Sequence, residues 1–263
     1  MIMLPFQFTF RTYCLIIIIG LLSGCSLNNL QSLTIIEDVP DNRMPLYRTL
    51  LPEGATLPVK PQVKLQGSSF MVGRFYLETV LGIRVNYKGE EYWYSLRMPM
   101  NNKAGYEGGF VYGYPKNLTD ICHREPGKNE VTAGNPYDYE YYVKPNLEKT
   151  DCDFSKPQAA DLVMQFEQDR QWRTQVDWPL TAITGRGLSI TPKGQYIQTE
   201  VPWTTKSEDT RYGYVDVVNN MMPDLLPSGR YPGVFQKIEF KWGSVSMVTK
   251  DAETKVPFDP KSQ

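Results

Sequence analysis

Short apolar segments, interrupted repeatedly by glycine and proline, leave little room for long helices in this chain. The 263 residues include 20 glycines and 20 prolines. Between these breaks many segments alternate: residues 237–242 read Lys-Ile-Glu-Phe-Lys-Trp, with every second residue apolar. A period of two is typical of a strand with one buried face. We therefore predict a mainly β, mostly antiparallel domain with a few short helices.

Individual segments can be assigned on the same basis. Residues 70–85 are rich in aromatic and β-branched residues, Lys88-Gly89 interrupts them, and residues 92–98 resume the pattern, which predicts a hairpin. Further predictions are strands at residues 110–112 and 172–178, a short helix at 46–51, and loops over 123–157. Periodicity does not separate helix from strand at residues 161–171.

The N-terminal residues have the pattern of a secretion signal. Arg11 precedes an apolar stretch over residues 13–22, and the run Leu-Ser-Gly-Cys ends at Cys25. The apolar stretch is too short to span a bilayer, which takes about 20 residues. This run resembles the lipobox of bacterial lipoproteins, in which the cysteine is acylated and becomes the mature N-terminus.

This signal, and the polar residues without periodicity at 26–45, predict the division of the chain and its location. We expect a signal peptide at residues 1–24, a lipidated tether at 25–45 and one β domain at 46–263. Multiple acyl chains on Cys25 would anchor the protein durably to a membrane. Ser26, at the sorting position, favours the periplasmic face of the outer membrane within the bacterial cell envelope.

Composition narrows the range of partners and of cysteine chemistry. The formal net charge of −1 and the absence of a basic stripe argue against a nucleic-acid partner. Once Cys14 leaves with the signal and Cys25 is acylated, Cys122 and Cys152 remain, and in an oxidising compartment such a pair forms a disulfide. The alternative is a metal site with His123, although the short ligand spacings of zinc sites are missing.

Lys116 is the candidate nucleophile. It follows a Gly-Tyr-Pro turn and lies close to Tyr112 and Tyr114. If the turn buries its ammonium group, desolvation would lower the lysine pKa, and a neutral amine can form a Schiff base with a carbonyl compound. Without further information, an exposed lysine after a turn is the alternative.

Residues 113–118, Gly-Tyr-Pro-Lys-Asn-Leu, resemble the active-site segment of the acetoacetate decarboxylase family. Further matches come in the family's order, and together they cover roughly residues 46–120: Leu-Pro-Glu-Gly at 51–54, Tyr-Leu-Glu at 76–78, Tyr-Lys-Gly-Glu at 87–90 and Asn-Asn at 101–102. The resemblance implies a closed antiparallel β-barrel of the acetoacetate decarboxylase-like type.

The resemblance also implies site residues. Lys116 would be the Schiff-base lysine and Glu78 the active-site carboxylate, acting as a carbon-carbon lyase on a small β-keto acid or related carbonyl compound. The residues that would line the substrate site are Tyr76, Tyr112, Tyr114 and Asn117. This chemistry needs neither a metal nor an organic cofactor. The family's tendency to form symmetric oligomers makes a homo-oligomer an expectation as well.

Two departures leave other functions open. The family's Gly-Arg-Glu run is missing its Arg and Glu here, and the family's second lysine, which helps to lower the pKa of the nucleophile, is Asn117. The alternatives are therefore a small-molecule-binding lipoprotein without catalysis, or a structural lipoprotein, on the same fold. Glu78 would then be an ordinary solvent-facing charge on a strand.

Overall fold

The computed structural model describes most of the chain from Asn28 onward. The described residues are 28–72, 74–111, 113–126, 134–145, 147, 152–171, 187–190, 196–200, 204–241, 245–249 and 255–258. Cys25, Tyr112 and the strand predicted at residues 172–178 lie outside them. Within the described part of the chain, none of the helices has the length and apolarity needed to cross a bilayer.

Strands dominate the described residues, as predicted. The strands are β1 (Asn28–Asp38), β2 (Ala55–Thr56), β3 (Gln62–Val72), β4 (Arg74–Tyr87), β5 (Glu90–Met100), β6 (Lys116–Leu118), β7 (Ile121–Arg124), β8 (Tyr139–Val143), β9 (Leu162–Gln168), β10 (Gly187–Ile190), β11 (Tyr196–Glu200), β12 (Thr204–Asn219), β13 (Gly229–Lys241), β14 (Val245–Thr249) and β15 (Lys255–Phe258). Two α-helices, α1 (Met44–Thr49) and α2 (Lys103–Val111), and two 3-10 turns, Asp41–Arg43 and Pro157–Ala159, complete the described elements.

One mixed sheet contains all of these strands. Its main path runs β15-β14-β11-β10-β5-β4-β3-β1-β13-β12-β9-β8-β7, with β2 paired to β4 and β6 paired to β5. The sheet is curled, as a contact between distant strands shows. Thr79 on β4 donates a hydrogen bond of 3.2 Å to the hydroxyl of Tyr141 on β8, which is six strands away along this path. Within the described residues no pairing joins β15 to β7, so the sheet is an open half-barrel.

The prediction of a closed, antiparallel barrel was therefore wrong in two respects. The half-barrel is open, and β5 pairs in parallel with both β6 and β10. The parallel β5–β6 pair has a local cause: helix α2 connects the two strands, and a crossover returns the chain in the same direction. A strand was predicted at residues 110–112; residues 110 and 111 belong to this helix, so the prediction was wrong for them.

The predicted tether is wrong from Asn28 onward. Strand β1 lies inside the sheet, between β3 and β13, with Leu33 and Ile35 fully buried. The alternation in β1 is masked in the sequence because Ser32 and Thr34, on the opposite face, are buried as well. Only Ser26 and Leu27 separate Cys25 from this strand.

The hairpin and the short helix are confirmed among the other predictions of local structure. Lys88 and Gly89 form the two-residue turn between β4 and β5, with φ values of 54° and 84°. Positive φ at both positions is the geometry of a type I′ hairpin turn. The short helix predicted at residues 46–51 corresponds to α1, and residues 161–171 contain strand β9. The loop predicted over residues 123–157 is interrupted by β8, whose five residues are all buried.

The core lies on the inner side of the curl. It joins apolar side chains from β1, β3 and β4 to aromatic rings from β8, β9 and β13: Leu33, Ile35, Val63, Leu65, Leu81, Ile83, Tyr139, Tyr141, Phe166 and Phe235. The Tyr139 and Phe235 ring centroids are 4.7 Å apart, within the range of favourable aromatic pairs. This core holds β3 and β4 rigidly, and their opposite face carries the candidate site.

Candidate functional site

Glu78 lies in the middle of β4, on the face opposite the core. Its neighbours Leu77 and Thr79 are buried among core residues, and strand alternation therefore turns Glu78 the other way. Strands β3 and β5 flank it, with Ser68 and Met100 directly opposite. The side chain is nevertheless buried, so the alternative of a solvent-facing charge does not describe Glu78.

Lys116 is the first residue of β6, held by the turn that follows α2. Gly113, with φ 74°, ends the helical segment, and the Tyr114 N–H donates to the Gly109 carbonyl at 3.0 Å. The Pro115 carbonyl accepts a hydrogen bond of 3.1 Å from the Met98 N–H, which docks the turn onto β5. In the sheet, Lys116 lies beside Met98, whereas Glu78 lies opposite Met100.

These two elements bring Lys116 and Glu78 together. The Lys116 Nζ atom is 2.7 Å from Glu78 Oε2, and the exposed fractions of the two side chains are 11% and 10%. A hydrogen-bonded ion pair at this depth needs good geometry to repay the cost of desolvation. A buried amine within hydrogen-bond distance of a carboxylate can pass a proton to it, which is the arrangement that an amine nucleophile requires.

The Lys116 side chain passes close to helix α2 at Gly109. Gly109 is buried, and a Cβ atom added there would overlap Cδ and Cε of Lys116 and lie 3.0 Å from Nζ. Glycine in a helix interior costs about 1 kcal/mol relative to alanine. The close passage of the Lys116 side chain explains why glycine is needed at this point of the helix.

The predicted substrate-lining residues divide into two groups. Burial first, and the Glu78 charge second, raise the pKa of the Tyr76 phenol well above its ordinary value, so Tyr76 is neutral beside the pair. The Tyr114 ring centroid is 5.9 Å from Lys116 Nζ. Asn117 does not belong to this group: it is exposed, because the alternation of β6 turns it away from the face of Lys116.

Sequence reasoning missed Lys64 on β3. Its side chain is buried, its ammonium lies 4.9 Å from the Trp93 ring centroid, and desolvation lowers its pKa from 10.5 to about 7. The residue occupies the face of β3 opposite the core residues Val63 and Leu65. In sequence it reads as the solvent-facing member of an alternating strand, and only the tertiary structure shows that this face is covered.

The predicted disulfide between Cys122 and Cys152 is present, with a Cα–Cα distance of 6.3 Å. It ties strand β7 to residues that pack against a small apolar cluster of Tyr142, Ala160 and Val163. His123 instead contacts the Tyr139 ring, with centroids 5.7 Å apart. Among the described residues, no group of His, Cys, Asp or Glu has the arrangement of a metal site.

Comparison with known proteins gives one family and a set of structures. Residues 47–135 match the sequence model of the family described as Acetoacetate decarboxylase (ADC). No relative is found among curated protein sequences. Acetoacetate decarboxylase from Legionella pneumophila subsp. pneumophila str. Philadelphia 1 superposes with a TM-score of 0.60 at 14% identity, covering 86% of this chain and 88% of that one.

Two further structures have the same architecture. The enduracididine biosynthesis enzyme MppR, complexed with the condensation product of pyruvate and imidazole 4-carboxaldehyde, has a TM-score of 0.59 at 11% identity, over 86% of this chain and 89% of its own. An acetoacetate decarboxylase-like enzyme from Sphingomonas wittichii RW1 has a TM-score of 0.55 at 11% identity, over 85% and 93%. Identities this low show the fold alone.

The family match includes Glu78 and Lys116, and the structural likeness extends over most of the chain. The predicted resemblance is thereby confirmed: residues 47–135 match the acetoacetate decarboxylase family model, and the described sheet has the fold of acetoacetate decarboxylase and related proteins.

Proposed function

We propose that this protein acts on a small β-keto acid or related carbonyl compound through a Schiff base formed by Lys116. The observation that carries the proposal is the buried contact of 2.7 Å between Lys116 Nζ and Glu78 Oε2. MppR, a structural relative, is described in complex with pyruvate and with a pyruvate condensation product. A small carbonyl compound is therefore the ligand class that this fold suggests for the present chain.

The first step is formation of the imine. Glu78 accepts a proton from the Lys116 ammonium, and the neutral amine attacks the ligand's carbonyl carbon. A C–N bond forms, and the carbonyl oxygen leaves as water after it has taken up two protons. The product is a protonated imine, whose positive nitrogen attracts the electrons of neighbouring bonds.

The second step is loss of carbon dioxide from a β-keto acid. The bond between the α-carbon and the carboxylate breaks, carbon dioxide departs, and the electron pair moves toward the imine nitrogen to give an enamine. A proton from water, relayed by Glu78, then adds to the α-carbon and regenerates the imine. Water then releases the ketone and restores Lys116.

Release of carbon dioxide from acetoacetate tests this proposal. We expect turnover by the wild-type protein and only background decarboxylation by Lys116→Met. Lys144→Met is the matched control, because Lys144 is also buried and faces Asp120 across 3.8 Å, but lies outside the site. Equal rates from wild type and Lys116→Met would contradict the proposal.

A binding protein without catalysis is the second candidate. The observation in its favour is Asn117, which stands where the family has a second lysine and is turned away from the site. In place of that cation, the described neighbours of the Lys116 ammonium include the Glu78 carboxylate and the Tyr114 ring. This candidate predicts a carbonyl ligand bound to the site with no release of carbon dioxide.

We propose further that Cys25 is acylated and anchors the protein to the periplasmic face of the outer membrane. The run Leu-Ser-Gly-Cys after an apolar stretch supports this proposal. The disulfide between Cys122 and Cys152 is consistent with it, because disulfides persist in oxidising compartments and are rare in the cytosol.

A further inference from the structure

Beside Glu78, a line of uncharged polar side chains crosses three neighbouring strands. Ser68 on β3 is directly opposite Glu78, Ser32 on β1 is directly opposite Ser68, and Gln236 on β13 is directly opposite Ser32. Residues that face each other across strands point to the same side of a sheet. We call Ser32, Ser68 and Gln236 the polar row.

We propose that the polar row binds an uncharged hydrogen-bonding group of the ligand, so that the carbonyl compound taken by Lys116 carries a hydroxyl or an amide group. This inference rests on the proposed function, because it assigns the substrate class of the same site. It concerns the part of the ligand that extends from the imine carbon toward β3 and β1.

Burial is the first reason. The exposed fractions of Ser32, Ser68 and Gln236 are 0%, 2% and 7%. A hydroxyl or amide group withdrawn from water costs free energy unless a hydrogen bond replaces the lost one. An apolar residue of similar volume would carry no such cost, so three adjacent polar residues at this depth indicate a role in recognition.

The hydrogen bonds within this surface give the second reason. Gln66 Nε2 donates to Ser68 Oγ at 3.0 Å, and the Ser32 and Thr34 hydroxyl oxygens are 3.0 Å apart. Because Ser68 accepts from Gln66, its own hydroxyl hydrogen can be donated to a ligand. A surface that both donates and accepts suits a hydroxyl or amide, which also do both, whereas a carboxylate only accepts.

Charge gives the third reason. Ser68 is the neighbour of Glu78 across β3 and β4, and adjacent strands are about 4.8 Å apart. A ligand carboxylate placed at Ser68 would therefore lie close to the negative charge of Glu78, whereas a neutral group would not be repelled. A substituent two or three atoms long on the imine carbon spans the distance of one strand.

Three methyl ketones test the inference by reductive trapping with cyanoborohydride. The probes are 4-hydroxybutan-2-one, its apolar isostere 2-pentanone, and the anionic 4-oxopentanoate. The amount of reduced adduct on the Lys116 peptide is measured as the ketone concentration rises, and the readout is the concentration that gives half of the maximal adduct. Each value is corrected for the intrinsic reactivity of that ketone, measured with acetyl-lysine amide. We expect half-saturation at a roughly five- to tenfold lower concentration for the hydroxyketone than for 2-pentanone, the worth of one hydrogen bond.

Two serine variants locate the effect. Ser68→Ala removes the hydroxyl nearest to Glu78 and should bring the preference for the hydroxyketone close to one. Ser69→Ala is the matched control: this serine is adjacent, 6% exposed and on the opposite face, so the preference should stay as in the wild type. The comparison of ketones on the wild-type protein stands by itself if Ser68→Ala does not fold.

The possible outcomes distinguish failure of this inference from failure of the proposed function on which it rests. Adducts on Lys116 with equal half-saturation for the hydroxyketone and 2-pentanone would overturn the inference and leave the Schiff base intact. Tighter saturation by 4-oxopentanoate would overturn it as well, in favour of an anionic ligand. Failure of every ketone to label Lys116 would contradict the proposed function itself.

Discussion

At the scale of single residues, burying the charged pair of Lys116 and Glu78 costs desolvation free energy. Both side chains are nearly buried, and each satisfies the other at 2.7 Å. Removing one partner of such a pair leaves a charge without compensation, which costs about 3–5 kcal/mol, whereas replacing both is often nearly neutral. A pair of this kind contributes little to stability, which agrees with the chemical role proposed for it.

Urea unfolding of single and double variants measures that asymmetry. We expect Lys116→Met and Glu78→Gln each to lower the free energy of unfolding by about 3 kcal/mol, and the double variant to lose clearly less than the sum. Strict additivity of the two changes would show that the side chains do not interact in solution.

Lys64 makes stability depend on pH in the opposite sense to a lysine whose pKa is raised by an ion pair. Its pKa is about 7 in the folded chain and 10.5 when unfolded, so the unfolded state binds more protons between these values. The cost of burying Lys64 is therefore fully present below pH 7 and disappears as the pH rises toward 10.5.

Relative to a Lys64→Met variant, the wild-type protein should gain roughly 2–3 kcal/mol of unfolding free energy between pH 6 and pH 9. Parallel denaturation series on the two proteins measure the difference, and the variant serves as the control for all other titrating groups. A difference between the two proteins that does not change with pH would contradict the buried, neutral lysine.

Residue-level reasoning from sequence identified two side chains that are in contact in the fold, and the family resemblance carried that signal. The Gly-Tyr-Pro-Lys segment and the Tyr-Leu-Glu segment pointed to the two side chains that the fold brings together. Asn117 failed because adjacency in sequence is not adjacency in a strand, where neighbouring residues face opposite sides. Lys64 and the polar row could not be predicted, because burial of the second face of the sheet is visible only in the tertiary structure.

At the scale of elements, the unit β5–α2–β6 builds the site. The helix returns the chain to the edge of β5, and the turn that follows places Lys116 beside Met98 in parallel register. This crossover is also where sequence reasoning about elements failed. Residues 103–111 include three glycines, and their helical state depends on packing against the rest of the fold rather than on intrinsic propensity.

Helix α2 should control the lysine through Gly109. A Gly109→Ala change favours the helix by propensity, yet its methyl group would displace the Lys116 side chain from Glu78. We therefore expect carbonyl trapping at Lys116 to fall by at least tenfold with little change in the thermal midpoint. Gly105→Ala, four residues earlier on α2, is not a clean control because its methyl group would overlap the Met100 side chain.

An exposed helix position supplies the control instead. Ala104→Gly changes propensity by a similar amount in the opposite direction at a site open to solvent. Trapping by that variant should match the wild type. Unchanged trapping by Gly109→Ala would show that Lys116 does not need this close passage.

At the scale of the whole molecule, the position of β1 changes the meaning of the lipid anchor. Strand β1 begins at Asn28 in the middle of the sheet, so an acylated Cys25 would hold the domain directly against the membrane. The short connection between Cys25 and the sheet could not be predicted, because the polar residues of β1 resemble a linker in sequence. For the same reason the place of β1 in the open half-barrel was missed.

Mutation of the cysteine tests the anchor. In the native host, we expect the wild-type protein in the detergent phase of a Triton X-114 partition, with acyl chains on an N-terminal Cys25 by mass spectrometry. Cys25→Ala should lose the acyl mass and move to the aqueous phase. Cys122→Ala should keep the acyl mass and stay in the detergent phase. An unmodified residue 25 in the mature wild-type protein would contradict lipidation.

The most direct test of the Schiff base is the site and mass of a reduced adduct. Incubation with acetoacetate and borohydride, followed by peptide mass mapping, should find one dominant adduct on Lys116 whose mass lacks the ligand's carboxyl group. That mass would report imine formation and loss of carbon dioxide together. Label spread over many lysines, and unchanged by Lys116→Met, would contradict the account.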